Sequence, residues 1–373
     1  MQSPFACVYL SANDIMDPAA TTSFMAESCK RVKFNREKLD SVVQLVRTFC
    51  ALTFAETLFR QILKGVQEGA CHQNYAANVL HTYNEVKLSF IKSLDRYFFV
   101  NCISFSFWKN PLSGGPKFMV KGPDGNVHKG SRAVMIRINQ LIRCGIPFTA
   151  SSLSCMPFEV FQFLMTDRRG AVLPMIEERW QIIRDAAATL DQKFAGHFYN
   201  CIKYANFNSA ELLTLLLENF PRFRDITIYE GRKVSFLLRA QLLILGVAQL
   251  FKENNHKIGF MLDQEQLRIS SSCRSVQMFR FYGLLVPSPE IEERMQKDDL
   301  FAYGEPDEVE MRAMSNYCVE EIKREVNRRL QLLGKPKITS VEVDAIVHKD
   351  RYERVSRLQR GQILFPKVRS ALH

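Results

Sequence analysis

Asp344 and His348 are the two residues whose spacing most suggests chemistry. Thr339-x-x-Glu342 is a capping-box pattern that opens a helix near Ser340 and predicts its run to about Gln359. Four residues apart, the carboxylate and the imidazole share one face of that helix. Val341, Ala345, His348 and Tyr352 form the stripe expected to face inward. A carboxylate on a partly apolar face is costly to bury unless it has a partner or a task. The partner could be His348 or a basic neighbour; the task would be that of a catalytic carboxylate. The ten cysteines include no C-x-x-C pair, and no Cys/His cluster has the spacing of a zinc site. They read as free thiols of a reduced compartment. There is no P-loop and no Rossmann glycine fingerprint.

The elements that must position such a pair are mostly helical. In Pro174–Phe194, apolar side chains at Ile176, Trp180, Ile183, Ala187, Leu190 and Phe194 alternate by four and three, the mark of one helical face. Asn208 or Ser209 can cap a helix through Leu217, and Phe220-Pro221 ends it. Lys233–Lys252 is almost wholly apolar in its middle and predicts a buried central helix. Asp307-x-x-Glu310 is a second capping-box pattern, opening a helix to about Leu332, with Glu310 and Arg312 read as a buried structural pair. One hairpin is expected where Phe118–Lys121 and Asn126–Lys129 flank Gly-Pro-Asp-Gly, and a smaller turn at Tyr229–Val234. The predicted class is mainly α with a small β-hairpin appendage.

The 373 residues and 47% hydrophobic content can bury one large core or two smaller ones. Length would allow two domains, but no linker-like segment divides the chain, so one compact body is expected. No apolar run reaches the roughly 20 residues of a membrane span, and the first residues do not form a signal peptide. A soluble, cytoplasmic protein is expected. The net charge is +11, and Glu320–His373 carries thirteen Lys/Arg against seven Asp/Glu. That balance favours anionic partners such as a nucleotide phosphate, tRNA or acidic lipid, although a solvated basic face would look the same.

Several blocks occur in an order that resembles the queuosine salvage proteins, the queuosine 5'-phosphate N-glycosylase/hydrolase family. They are Asn200-Cys201-x-Lys203, Glu218-Asn219-Phe220-Pro221-x-x-Arg224-Asp225, Arg239-Ala240-Gln241, Glu308–Arg312 with Tyr317–Glu320, and Ile338–Val341 with Asp344. The resemblance covers about Ala26 to Arg369. It implies residues 21–373 as one helical domain similar to helical DNA glycosylases, with 1–20 as a disordered extension. It implies release of queuine from queuosine 5'-phosphate by water, with Asp344 as the catalytic carboxylate and a small nucleotide or queuine as partner. Direct tRNA binding is possible but not required, and the resemblance implies no membrane partner and no metal or organic cofactor. His81 matches a ligand-contacting histidine, and Lys203 and Arg239 could hold a 5'-phosphate as point charge and fork. Salt bridges to Glu218, Asp225 or Glu310 are the structural account of those two bases. The resemblance also sets positions 270, 272, 273 and 348 in the substrate pocket. A stacking Phe, a base-reading Asp, a Tyr and a Trp are expected there; the chain has Ser270, Ser272, Cys273 and His348. The expected Asp residues at 101 and 246 are Asn101 and Gly246. These departures leave open an alternative, a diverged paralogue with lost or altered activity that binds another nucleoside or a protein.

Overall fold

The computed structural model describes residues 16–53, 88–108, 116–354, 358 and 363–372. His81 and the expected helix end at Gln359 lie outside them. The fold is mainly α, with short two-stranded pairings. In chain order the elements are α1 (Pro18–Ser28), β1 (Val32–Phe34), α2 (Leu39–Thr53), α3 (Phe90–Cys102), β2 (Val120–Lys121), β3 (Val127–His128), α4 (Gly130–Arg143), α5 (Ala150–Ser154), α6 (Phe158–Leu164) and α7 (Ile176–Phe194). There follow α8 (Phe198–Tyr204), α9 (Ser209–Asn219), β4 (Ile226–Tyr229), β5 (Arg232–Ser235), α10 (Leu238–Glu253), α11 (Cys273–Phe281), β6 (Leu285–Pro287), α12 (Pro289–Gln296), β7 (Leu300–Phe301), α13 (Pro306–Leu332), α14 (Ser340–Glu353) and β8 (Lys367–Val368). Among the described residues no helix is long and apolar enough to cross a membrane.

Two apolar cores account for most of the buried surface. The first is built from α3 through α10, with Phe98 fully buried and stacked on Phe198 at 4.5 Å between ring centres. Burying one such ring is worth about 1.5–3 kcal/mol. The second joins β1 and α2 to α11 through β8 around Met311, Cys318 and Val347. Chain-distant pairings close it: β1 runs antiparallel to β6, and β7 parallel to β8. Two arginines reinforce the end of α3. Arg179 donates to the carbonyls of Ile103, Phe105 and Ser106, and Arg239 to those of Asn101 and Cys102. Carbonyls at a helix C-terminus lack helical partners, so cations there are doubly favoured.

The expected hairpin forms as β2–β3, and the turn expected at Tyr229–Val234 is the tip of a second hairpin, β4–β5. In the second, Glu230 and Gly231 both have positive φ, 47° and 76°, as a tight two-residue turn demands. That turn corrects one expectation: Lys233–Ser235 belong to β5, so the central helix starts at Leu238. The Asp307/Glu310 capping box does not form. Pro306 occupies the first helical position after Glu305, and Asp307 is ion-paired to Arg31 and Arg294. Glu310 and Arg312 are both buried but are not each other's partners. Glu310 accepts from Tyr229 and from the amides of Arg31 and Val32, while Arg312 pairs with Asp225 and Glu308. A helix already runs from Pro18, inside the segment expected to be an extension.

Candidate functional site

Asp344 lies in the second turn of α14. The capping box that opens this helix is complete: Thr339 Oγ1 accepts from Glu342 N at 3.3 Å, and Glu342 Oε2 accepts from Thr339 N at 2.7 Å. The inward face is not the expected stripe. Ser340, Val343, Asp344, Ile346, Val347 and Asp350 are buried, whereas Val341 and Ala345 are half-buried and Tyr352 is exposed. Asp344 is therefore deeper than its spacing predicted, 7% exposed.

The segment Arg268–Ser272 lies against it, held by backbone hydrogen bonds from two helices. Gln241 of α10 brackets Arg268, accepting from its N–H at 2.6 Å and donating to its carbonyl at 3.1 Å. From α13, Asn316 accepts from Ser270 N at 3.0 Å, Ser315 donates to Ser270 O at 2.5 Å, and Arg312 donates to Ser271 O at 3.2 Å. Ser270 Oγ is thereby aimed at the acid and donates to Asp344 Oδ1 at 2.5 Å. The second carboxylate oxygen is 3.6 Å from His348 Nε2, and the same nitrogen is 3.4 Å from Ser275 Oγ. Because Asp344 and Ser275 meet one ring nitrogen, this is not a nucleophile–base–acid relay, which needs the two nitrogens to face different partners. His348 Nδ1 is buried with no hydrogen-bond partner among the described residues.

The electrostatics push this pair towards neutrality. Burial raises the Asp344 carboxyl above its usual range, against the opposing pull of His348 and the Ser270 hydroxyl. Burial lowers His348; Asp344 opposes that, and Arg351 and Arg274 add to it. Arg351 is pushed down to about 10, by burial and then by Arg274. A buried acid–imidazole pair flanked by two guanidiniums is the kind of perturbed cluster that marks functional sites.

The structure brings Asp344, Ser270, Ser272, Cys273 and His348 into one neighbourhood. Ser272 is the N-cap of α11, its hydroxyl accepting from Ser275 N at 3.0 Å, so it faces backbone. Cys273, half-buried, is the first residue of that helix. Lys203 and Arg239 stand apart. Lys203 is exposed on α8, which packs on α3, α7 and α9 of the first core. Arg239 is buried with its guanidinium on the carbonyls of Asn101, Cys102, Arg222 and Ala371. Neither forms the expected salt bridges; Asp225 and Glu310 have the other partners described above. An open groove of about 520 Å³, lined by Lys193, Phe194, Tyr204, Glu211 and Glu218 among others, lies on the first core and includes none of the Asp344 group. Among the described residues no three of His, Cys, Asp and Glu come together as metal ligands. At position 246 there is no room for the expected aspartate: a Cβ on Gly246 would lie 1.9 Å from the Tyr97 hydroxyl, which donates to Leu242 O. Sequence reasoning missed Arg351 and Ser275. Arg351 continues the 344, 348 spacing by three, and Ser275 is three residues after a serine cap, so both signals were present.

The mainly α fold and a buried acid under a basic flank define a helical protein with a candidate charge-stabilising site. A family model described as queuosine salvage protein matches residues 85–372. Queuosine 5'-phosphate N-glycosylase/hydrolase of Bos taurus is 30% identical over 61% of this chain and 65% of its own. The Mus musculus protein of that name is 28% identical over 73% of this chain and 79% of its own, and that of Schizosaccharomyces pombe 29% over 64% and 71%. The chain belongs to the queuosine salvage protein family. The match spans a little under two thirds of the bovine relative.

Proposed function

We propose that this chain hydrolyses the N-glycosidic bond of queuosine 5'-phosphate, giving queuine and ribose 5-phosphate, in queuosine salvage for tRNA modification. The observation that carries this reading is the family match over residues 85–372, which includes Asp344. The chemistry agrees with the geometry. As the bond to the base breaks, the sugar gains oxocarbenium character, and an ionised carboxylate nearby opposes that charge. Asp344 is held for this by the Ser270 hydroxyl and by His348. Water adds at C1', and the base leaves with the bonding electrons and takes up a proton. Queuine has carbon in place of N7, so its release relies on hydrogen bonds to its other polar edges. Ser270, Ser272, Cys273 and His348 occupy the pocket positions for that contact in this reading, with His81 as a further contact. The substrate is a small nucleotide, direct tRNA binding is not needed, and the place of action is the cytoplasm, where free thiols stay reduced.

The test is incubation of the purified chain with queuosine 5'-phosphate, followed by chromatography for queuine. Release that disappears in Asp344→Asn supports the reading. No release by a folded parent protein would overturn it.

A further inference from the structure

Ser270 belongs to no helix or strand, so both of its buried backbone groups need partners from elsewhere. Two consecutive residues of α13 supply them. Asn316 Oδ1 accepts from Ser270 N at 3.0 Å, and the Ser315 hydroxyl donates to Ser270 O at 2.5 Å. A backbone N–H can only donate, so the Asn316 amide is fixed with its oxygen towards Ser270. Ser315 and Asn316 are 0% and 2% exposed, in a stretch of helix whose other buried residues include Met311, Met314, Cys318 and Val319. Serine and asparagine are poor choices for such positions, because they cost desolvation and compete for the helix's own backbone. Here both side chains reach across to the same residue of another segment.

What this grip controls is a direction. With the peptide planes on both sides of Ser270 held, its Cα–Cβ bond is set and only one torsion of the side chain remains. In the position that torsion takes, the hydroxyl meets Asp344 Oδ1 at 2.5 Å. Gln241 secures Arg268 and Arg312 secures the Ser271 carbonyl, but those bonds leave the Ser270 N–H and carbonyl to α13. Hydrogen bonds to a carboxylate depend steeply on angle as well as distance. A small rotation of the Ser270 peptides would therefore deprive Asp344 of its hydroxyl donor. Asn316 itself shares no hydrogen bond with Asp344 among the described residues, so its influence passes through Ser270.

We propose that Asn316, with Ser315, is a positioning residue that holds the Ser270 backbone so that the serine hydroxyl lands on Asp344. Its catalytic consequence rests on the nucleotide-hydrolase reading above; the grip itself is tested without turnover. Carboxyl-carbon NMR of the full chain, labelled at aspartate, follows the titration of Asp344, whose signal is identified by its loss in Asp344→Asn. Asn316→Leu keeps the size and removes the acceptor. It should raise the Asp344 midpoint by about one pH unit, the worth of one hydrogen bond to a charged group. Ser270→Ala should raise it by a similar amount. The double variant should match Ser270→Ala alone, because both changes act through one hydroxyl, whereas a residue that only packs would add its own effect. If Asn316→Leu fails to fold by circular dichroism, Ser315→Ala takes its place under the same criteria. An unmoved midpoint in the folded variant, or shifts that add in the double variant, overturns the proposal. In turnover of queuosine 5'-phosphate, Asn316→Leu should lower kcat about tenfold and leave KM unchanged. An unchanged kcat in an active parent overturns it as well. A chain that shows the coupled titration yet releases no queuine would sink the cleavage reading and leave the grip standing.

Discussion

Arg312 and Arg274 carry the same charge into the interior and meet opposite surroundings. Arg312 has a carboxylate on each side, Asp225 and Glu308, with its guanidinium over the Phe236 ring and Tyr303 donating to Asp225. Burial opposes its charge, but the two acids more than compensate and hold its pKa above the usual range. Arg274 has an amide oxygen and a ring, and burial lowers its pKa. Among the described residues, Arg312 has two carboxylate partners and Arg274 has the amide oxygen of Gln277 and the ring of Phe365. The first arrangement, a buried charge balanced by its own chain, is the signature of scaffold.

That contrast can be broken experimentally. The largest effect should come from Arg312→Met, which strands two buried carboxylates and frees the Ser271 carbonyl. It should cost about 3–5 kcal/mol of stability, read by denaturant unfolding; a loss below about 1 kcal/mol would show that the network is not what secures the scaffold. Asp344→Asn should do the reverse, lowering queuine release at least about a hundredfold while the fold holds. Its stability follows from linkage. Because the folded carboxyl titrates above its unfolded value, the native state binds the proton more tightly. That contribution is present at low pH and is lost as pH rises through the folded pKa. The Asn variant lacks the loss, so at neutral pH its thermal midpoint should equal or exceed the parent's.

A smaller effect is expected from Ser270→Ala. It removes a hydrogen bond to the ionised carboxylate, so Asp344 should titrate higher still. The acid limb of the rate profile, already above the ordinary range near 4, should move further up and the rate should fall about tenfold. An unmoved acid limb would mean that another group sets it. The smallest is Ser272→Ala, which removes the cap of α11 and should cost about 1 kcal/mol by denaturant unfolding, with little change in the acid limb.

Local rules written in neighbouring residues were legible in the sequence. The Thr339/Glu342 box, the Asn208 cap, the β2–β3 hairpin and the turn at Glu230-Gly231 form because each depends on a few adjacent side chains. The Asp307/Glu310 box failed because Arg31 and Arg294, from distant parts of the chain, claimed Asp307. The candidate site divided the same way. Asp344 and His348 were visible as a spaced pair, but the hydroxyl that holds the acid comes from Ser270. Its aim depends on how α10 and α13 fix the 268–272 backbone, which no local pattern encodes. The loss of an aspartate at Gly246 was visible, but not its cause, the Tyr97 ring packed against that position.

The last described residues run from one core to the other. Ile363 and Leu364 accept from Gln277 and Arg280 beside the candidate site, while Val368 and Ser370 accept from Ser106, and Ala371 from Arg239, at the end of α3. Chain ends usually fray first, and their amides exchange with solvent almost freely. Here the tail is a tie-rod between two cores. The Ser370 amide, which donates to Ser106 Oγ at 3.2 Å, should therefore exchange more slowly than that of a frayed end.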